Sequence, residues 1–314
     1  MKEFFVGIDL GGTRVKMGLV AGGVVLANRI IPAQAAGGLA ACLPQLQFEA
    51  ESMIGGLQLP MAGLRGVGFA FPGLVDTKQK KITFTNRKYD DATGIDLAQW
   101  TYDTWKVPFV IDNDAHMAAI GEWKYGAGRD TDDMVMMTIG TGIGSAAIME
   151  GRLLRGKHFQ AGCLGGHFTI QFTGGRCNCG NTGCAEIYGG SWGLKNRIEQ
   201  HALYTGSLLK QAATLDFAAV FENARKDDPL SLIILEESMD AWAATMGNLV
   251  LAYDPEIVVL GGGVLKSADI ILPCLQQKMK QLSWSPWGEV TLRASVLQED
   301  AAIMGIVHTL QHSN

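Results

Sequence analysis

Short apolar runs that end in glycine alternate along the chain with longer stretches whose apolar positions recur at helical spacing. FFVGIDL, VKMGLV and VVLANRI read as three strands in the first 30 residues, with the turn GGTR between the first two. Residues 36–59 carry apolar positions at helical spacing, and LRGVGFAFPGLV returns to strand. VPFVIDND predicts a further strand, and AHMAAIGEWKYGAG a helix closed by glycine. MVMMTIGTGIGSAAIMEGRLL then repeats the opening plan of strand, glycine–threonine turn and strand. The back half is mainly helical, with a long helix from about 230 to 253, the buried-type strand DPEIVVLGGGV and a closing helix AAIMGIVHTL. Alternation of this kind predicts an α/β fold.

DLGGT at 9–13 and TIGTGIG at 138–144 are similar glycine-rich turns about 130 residues apart, which predicts two halves built alike. The expected division is a smaller N-terminal domain over 1–118 and a larger one over 119–298, with a helix over about 299–314 packing back on the first. A chain of 314 residues suits two cores. No low-complexity linker separates the halves, so they are expected to meet across a cleft.

Charge and composition narrow the class. A formal net charge of -5, with no long basic run, argues against nucleic acid as partner. No apolar stretch is long enough for a membrane span, and MKEFFVGIDLGG does not resemble a secretion signal, so a soluble cytoplasmic protein is expected.

In DLGGT, two glycines let backbone N–H groups approach a phosphate, Thr13 adds a hydroxyl donor, and Asp9 offers a carboxylate for hydrated Mg²⁺. An ordinary tight hairpin explains the turn equally well until TIGTGIG supplies a second one. Neither the Walker pattern nor a dinucleotide-binding GxGxxG with its following acid occurs. Gly261, Gly262 and Gly263 end a strand, where a flat base or ribose can come close; a plain strand-to-helix turn is the competing explanation. Asp112, Asn113 and Asp114 stand at a strand end before a helix. One of the three is expected to cap that helix, and a carboxylate among them can take the proton of an attacking hydroxyl. His167, Cys177, Cys179 and Cys184 follow the spacing H-x9-C-x-C-x4-C, four N/S ligands that suit a closed, structural Zn²⁺. Glu186, held by that loop, can hydrogen-bond a polar ligand or make a surface ion pair. Asn86 either touches a ligand or makes a turn; His116, His158, His201 and His308 read as surface or helix histidines, and Trp284 and Trp287 as core or surface anchors.

In order, DLGGT, the DNDA box, TIGTGIG, GH…CxCGxxGCxE and VVLGGG span nearly the whole chain, which resembles the ROK family of bacterial sugar kinases, sugar-responsive repressors and uncharacterised members. The resemblance implies an actin-like, hexokinase-type fold of two RNase-H-like domains in a homodimer, using ATP and Mg²⁺ to phosphorylate a hexose hydroxyl, the 6-OH in the main. It implies that Asp114 is the catalytic base and that Asn86, Asn113, His167 and Glu186 bind sugar. Asp9, Gly11, Gly12, Thr13 and Lys16 fall to a first phosphate site, Thr138, Gly140, Thr141 and Gly142 to a second, and Gly261–Gly263 to adenosine. One departure stands out: the family's kinases carry GExGH, whereas CLGGH here puts Leu164 in place of the sugar-binding glutamate. Loss of a carboxylate removes charge-assisted hydrogen bonds to hydroxyls, so an N-acetylated or epimeric sugar such as N-acetylmannosamine or allose becomes a candidate. The family's repressors carry a helix-turn-helix ahead of this body; with the first motif at residue 9, DNA binding is not expected, and a sugar sensor acting through another protein is the alternative to a kinase.

Overall fold

A computed structural model of the chain describes residues 3–313. It divides into two compact units. The first runs up to Asp130 and takes in Leu153–Cys163 and the chain from Val296 on; the second holds Thr131–Arg152 and Leu164–Ser295. The chain therefore passes between units after helix α3 (Asp114–Tyr125), not within it, where residue 118 lies.

In the first unit, β1 (Phe4–Leu10), β2 (Arg14–Ala21) and β3 (Val24–Pro32) form an antiparallel meander. β4 (Leu64–Phe71) and β7 (Phe109–Asn113) add in parallel on the other side of β1, giving the order β3-β2-β1-β4-β7. Helix α1 (Leu39–Gly56) and α2 (Leu97–Trp105) are the crossovers, and β5 (Leu74–Asp76) pairs with β6 (Lys81–Phe84) as a small ribbon. LRGVGFAFPGLV is thus two strands, broken where Pro72 lacks an N–H to donate and Gly73 turns the chain.

The second unit repeats the plan. β8 (Met134–Ile139), β9 (Ile143–Met149) and β10 (Arg152–Leu153) are followed by helices α4 (Ala185–Gly189), α5 (Ser191–Gln200), α6 (Phe217–Ala224) and α7 (Pro229–Tyr253), then by β11 (Ile257–Gly262), α8 (Ala268–Leu282) and β12 (Thr291–Ala294). The sheet order β10-β9-β8-β11-β12 is that of the first unit, with an antiparallel hairpin followed by two parallel strands. Two units of this one topology are the two similar halves that the paired turns predict, and make the actin-like α/β fold that the family resemblance implies. Although α7 has 25 residues, no helix among those described is long and apolar enough to cross a membrane.

Period-2 alternation decides what each sheet face does. In the first unit, Phe4, Val6, Ile8 and Leu10 join Val15, Met17, Leu19, Val67, Phe69 and Ile111 in a core shared with α1. The opposite face carries a row of small residues in register, Gly18–Gly7–Gly68. The last helix, α9 (Ala301–His312), lies on that row: a Cβ on Gly18 would stand 2.6 Å from Ile303 Cγ2, and one on Gly68 2.5 Å from Ile306 Cγ2. α9 also crosses α3 backbone to backbone, where a Cβ on Gly305 would be 1.8 Å from the Met117 carbonyl oxygen and one on Gly121 1.9 Å from that of Ala301.

Candidate active site

The row one pleat period beyond those glycines, on the same face, reads Lys16–Asp9–Ala70–Asp112. Asp112 in that row is buried, while Asp9 and Lys16 are partly exposed. Asp9 faces Lys16 across the hairpin at 3.8 Å between Oδ2 and Nζ. Burial raises the Asp9 carboxyl to about 6, opposed by the Lys16 charge and reinforced by the carboxylates of Asp114 and Glu299. The β1–β2 turn closes through a Gly11 N–H donated to Arg14 O at 3.0 Å, with Gly12 half-buried and Thr13 exposed at its tip.

The three polar residues of the DNDA box have separated roles. Asn113 is the cap of α3: its Oδ1 accepts from the N–H groups of Ala115 and His116, and its Nδ2 donates to Gly73 O at 3.0 Å. Asp112 is buried between His116 Nδ1 at 3.0 Å and Arg155, whose Nε donates at 2.8 Å. Burial would raise Asp112, but its contact with His116, the Arg155 charge and the Asn113 N–H hold it low. His116 is therefore no surface histidine: it is fully buried, and its second ring nitrogen lies 3.2 Å from Ala161 O. Asp112 and His116 together fasten Leu153–Cys163 to the first unit. That leaves Asp114, partly buried, accepting from the Ala115 N–H at 2.9 Å. Burial raises its carboxyl, against the Lys88 charge and that N–H. A carboxylate raised in this way, at a strand end, has the profile of a general base.

Lys88 and Tyr89 went unmarked in the sequence. They belong to a turn in which Asn86, Arg87 and Tyr89 all take left-handed backbone, with φ of 42°, 59° and 57°. Each costs on the order of 1 kcal/mol or more outside glycine, so the surroundings must hold the turn. Tyr89, fully buried, donates its hydroxyl to Gly11 O at 3.0 Å and its N–H to Ala35 O at 3.0 Å. Asp91 accepts from the first N–H groups of α1. The Lys88 side chain consequently lies along Gly12, where a Cβ would stand 2.7 Å from its Cε. Asn86, half-buried, occupies the start of this turn.

In the second unit, Thr138 holds the place in β8 that Asp9 holds in β1, paired with Gly144 and Gly261. The β8–β9 turn is braced from behind: Gly140 O and Thr141 O accept from the N–H groups that open α5, Ser191 and Trp192. Glu186 accepts from Ile143 N–H at 2.9 Å and from Trp192 Nε1 at 3.0 Å, and a Cβ on Gly142 would strike its carboxylate. Each of its oxygens already takes one bond, which leaves one further lone pair apiece for a ligand hydroxyl. Gly262, at φ 101°, packs on Ile139 O, so the fold requires glycine there. Gly140 and Gly263 differ: a Cβ on either would meet nothing within 4 Å, and neither takes positive φ. Their bareness is unexplained by packing or backbone and suits close approach of a ligand.

His167, Cys177, Cys179 and Cys184 come together, their ligand atoms within 4.8 Å of one another. Cys177 Sγ lies 3.7 Å from His167 Nδ1, and the sulfurs of Cys179 and Cys184 are 3.6 Å apart. Tetrahedral Zn–S bonds of about 2.3 Å put ligands about 3.8 Å apart, close to these two separations, so the chemistry and clustering of this donor set fit Zn²⁺. Leu164, two residues before Gly166, is exposed.

The family model described as "ROK family" matches residues 5–312. A glucokinase of Halalkalibacterium halodurans is 29% identical over 96% of this chain and 93% of its own length. A xylose repressor of Bacillus subtilis is 29% identical over 79% of this chain and 62% of its own. Among solved structures, a ROK family glucokinase from Streptomyces griseus in complex with glucose and AMPPNP superposes with a TM-score of 0.80 at 25% identity, covering 99% of this chain and 100% of that one.

Proposed function

The chain belongs to the ROK family, and we propose that it is an ATP-dependent sugar kinase, with Asp114 as the base that accepts the proton of the attacking hydroxyl. The observation that carries this reading is the division of labour in the DNDA box. Asp112 is committed to the fold and Asn113 caps α3 with one Nδ2 hydrogen left for a ligand, whereas Asp114 is partly buried with its carboxyl raised by that burial. In the proposed step, a sugar oxygen, that of the 6-OH, bonds to the γ-phosphorus as the bond from that phosphorus to the β–γ bridging oxygen breaks. The hydroxyl proton goes to Asp114 and the electron pair leaves with ADP.

The turn at Gly11–Thr13 is proposed as one phosphate loop, with the exposed Thr13 hydroxyl as a donor, and Thr138–Gly142 as a second. Gly140 and Gly263 leave room for the nucleotide. Mg²⁺ carried on the nucleotide supplies neutralisation of phosphate charge, and the mutually repelling carboxylates of Asp9 and Asp114 fit a site for its hydrated ion. The zinc set shapes the loop that leads to Glu186, and Asn86, Asn113, His167 and Glu186 are the proposed sugar ligands. We further propose a homodimer, and a hexose derivative as substrate, because exposed Leu164 offers methyl groups where the family's kinases carry a carboxylate.

Kinship with a xylose repressor favours one second reading, a sugar sensor without turnover. Coupled measurement of ADP release over a panel of hexoses, N-acetylhexosamines and epimers separates the two. A kinase gives turnover on a subset that Asp114→Asn abolishes. Sugar binding with no ADP release on any of them would refute the kinase.

A further inference from the structure

Two lysines of the first unit act on the carboxylates of Asp9 and Asp114, and only one of them is paired. Lys16 is paired with Asp9 at 3.8 Å. Lys88, half-buried, has no carboxylate within 4.0 Å of its ammonium among the described residues. It is nevertheless held in place: a Cβ on Gly12 would lie 2.7 Å from Cε and 3.1 Å from Nζ. Its backbone sits between left-handed Arg87 and Tyr89, donates to Thr85 O at 3.0 Å, and is tied to the phosphate turn by the Tyr89–Gly11 bond. A solvated surface lysine needs none of this. An aliphatic stem laid over the glycine of a phosphate turn, with its charge felt by the carboxylate of Asp114, is placed where transferred charge passes.

We propose that Lys88 is a catalytic residue whose ammonium group contacts the γ-phosphoryl group as it moves from nucleotide to acceptor. The inference rests on the sugar-kinase reading and adds a residue to it. Lys88 keeps its proton throughout: the oxygen–phosphorus bond to the acceptor forms, the bond to ADP breaks, and the acceptor's proton goes to Asp114. What Lys88 contributes is a fixed positive charge against the negative oxygens of the group in flight, the role a clamp cation fills in phosphoryl transfer. Gly12 follows from the same assignment, since any side chain there would displace the lysine from the turn.

The test uses zinc-loaded full-length protein and the variants Lys88→Met and Lys88→Arg. Binding of Mg·AMP-PNP and of Mg·ADP is titrated calorimetrically, and kcat and KM are measured on the best sugar. Lys88→Met should weaken AMP-PNP by about tenfold and ADP by less than about twofold, because only the former carries a γ-phosphate. It should lower kcat by about 100-fold with the sugar KM within about threefold. Lys88→Arg should restore at least about a tenth of kcat. Parental discrimination between the two nucleotides in Lys88→Met, with kcat within about threefold, would overturn the proposal. If the parent binds AMP-PNP but phosphorylates nothing, the kinase reading fails and the catalytic assignment falls with it; the nucleotide pair then shows whether the γ-phosphate contact exists in its own right.

Discussion

The Tyr89 hydroxyl donates a hydrogen bond of 3.0 Å to the carbonyl oxygen of Gly11. Tyr89 is fully buried against Phe71, with ring centroids 6.1 Å apart, so the bond is a rigid strut from the 85–91 turn to the Gly11–Thr13 turn. Burial, with Cys42 and Asp9 nearby, raises the phenol, which therefore remains a donor throughout the working pH range. Tyr89→Phe should keep the packing and orphan the Gly11 carbonyl, at a cost of about 1 kcal/mol in stability. Its KM for ATP should rise several-fold, and an unchanged KM would show that the strut does not position the phosphates.

Gly305 and Gly121 let α9 and α3 cross with their backbones touching. Gly305→Ala puts a methyl carbon 1.8 Å from the Met117 carbonyl oxygen, which only separation of the two helices can relieve. Overpacking of this kind costs about 1–3 kcal/mol, and rigid backbone on both sides places it at the upper end. Denaturant unfolding should show that loss with little change in m-value. A loss under about 0.5 kcal/mol would mean that α9 sits less tightly than the glycine row implies.

How much of this was legible in the residues divides along physical lines. Period-2 runs such as FFVGIDL declare strands because burial on a pleated face demands that pattern, and DLGGT and TIGTGIG declare turns because clustered glycines interrupt it. The Cys and His spacing predicted a cluster that the fold does assemble. Unmarked were relations that exist only across strands. Gly18, Gly7 and Gly68 are unremarkable singly and become a helix seat only in register. Lys16, Asp9 and Asp112 stand out singly, but that they share one row across the sheet is not visible in their motifs. His116 read as an ordinary helix histidine because its partners, Asp112 and Ala161, come from a strand and a distant segment. Lys88 gave no signal at all, since left-handed backbone at Asn86, Arg87 and Tyr89 has no composition mark beyond the asparagine.

Asp9 gives a pH dependence opposite in sign to that of a paired carboxylate. Its folded carboxyl is raised from 3.8 to about 6, so the fold favours the protonated form. The stability this confers is present below the unfolded value and is lost as pH rises from about 4 to about 6. Above that range the ionised group weakens the fold by about 2–3 kcal/mol. Asp9→Asn should therefore raise Tm at pH 7.5 and leave it nearly unchanged at pH 4, while impairing ATP turnover. A variant with lower Tm at pH 7.5 would show that the Lys16 pairing outweighs burial.

The zinc set is expected to hold one ion per chain, measured by atomic emission on chelator-washed protein. Cys184, fully buried, is the ligand whose loss the loop tolerates least. Cys184→Ser should lose the metal and lower Tm by several degrees, with sugar affinity falling more than nucleotide affinity because the loop runs on to Glu186. Full metal content in this variant would take Cys184 out of the ligand set.

The central claim is transfer of a phosphoryl group to a sugar, and ³¹P NMR of protein, Mg·ATP and the preferred sugar observes it directly. The account predicts that the γ-phosphate signal of ATP gives way to that of a sugar phosphomonoester coupled to the protons of a primary carbon, and that Asp114→Asn leaves ATP intact over the same interval. Inorganic phosphate appearing at equal rates with and without sugar, or ATP unchanged with every sugar offered, would contradict it.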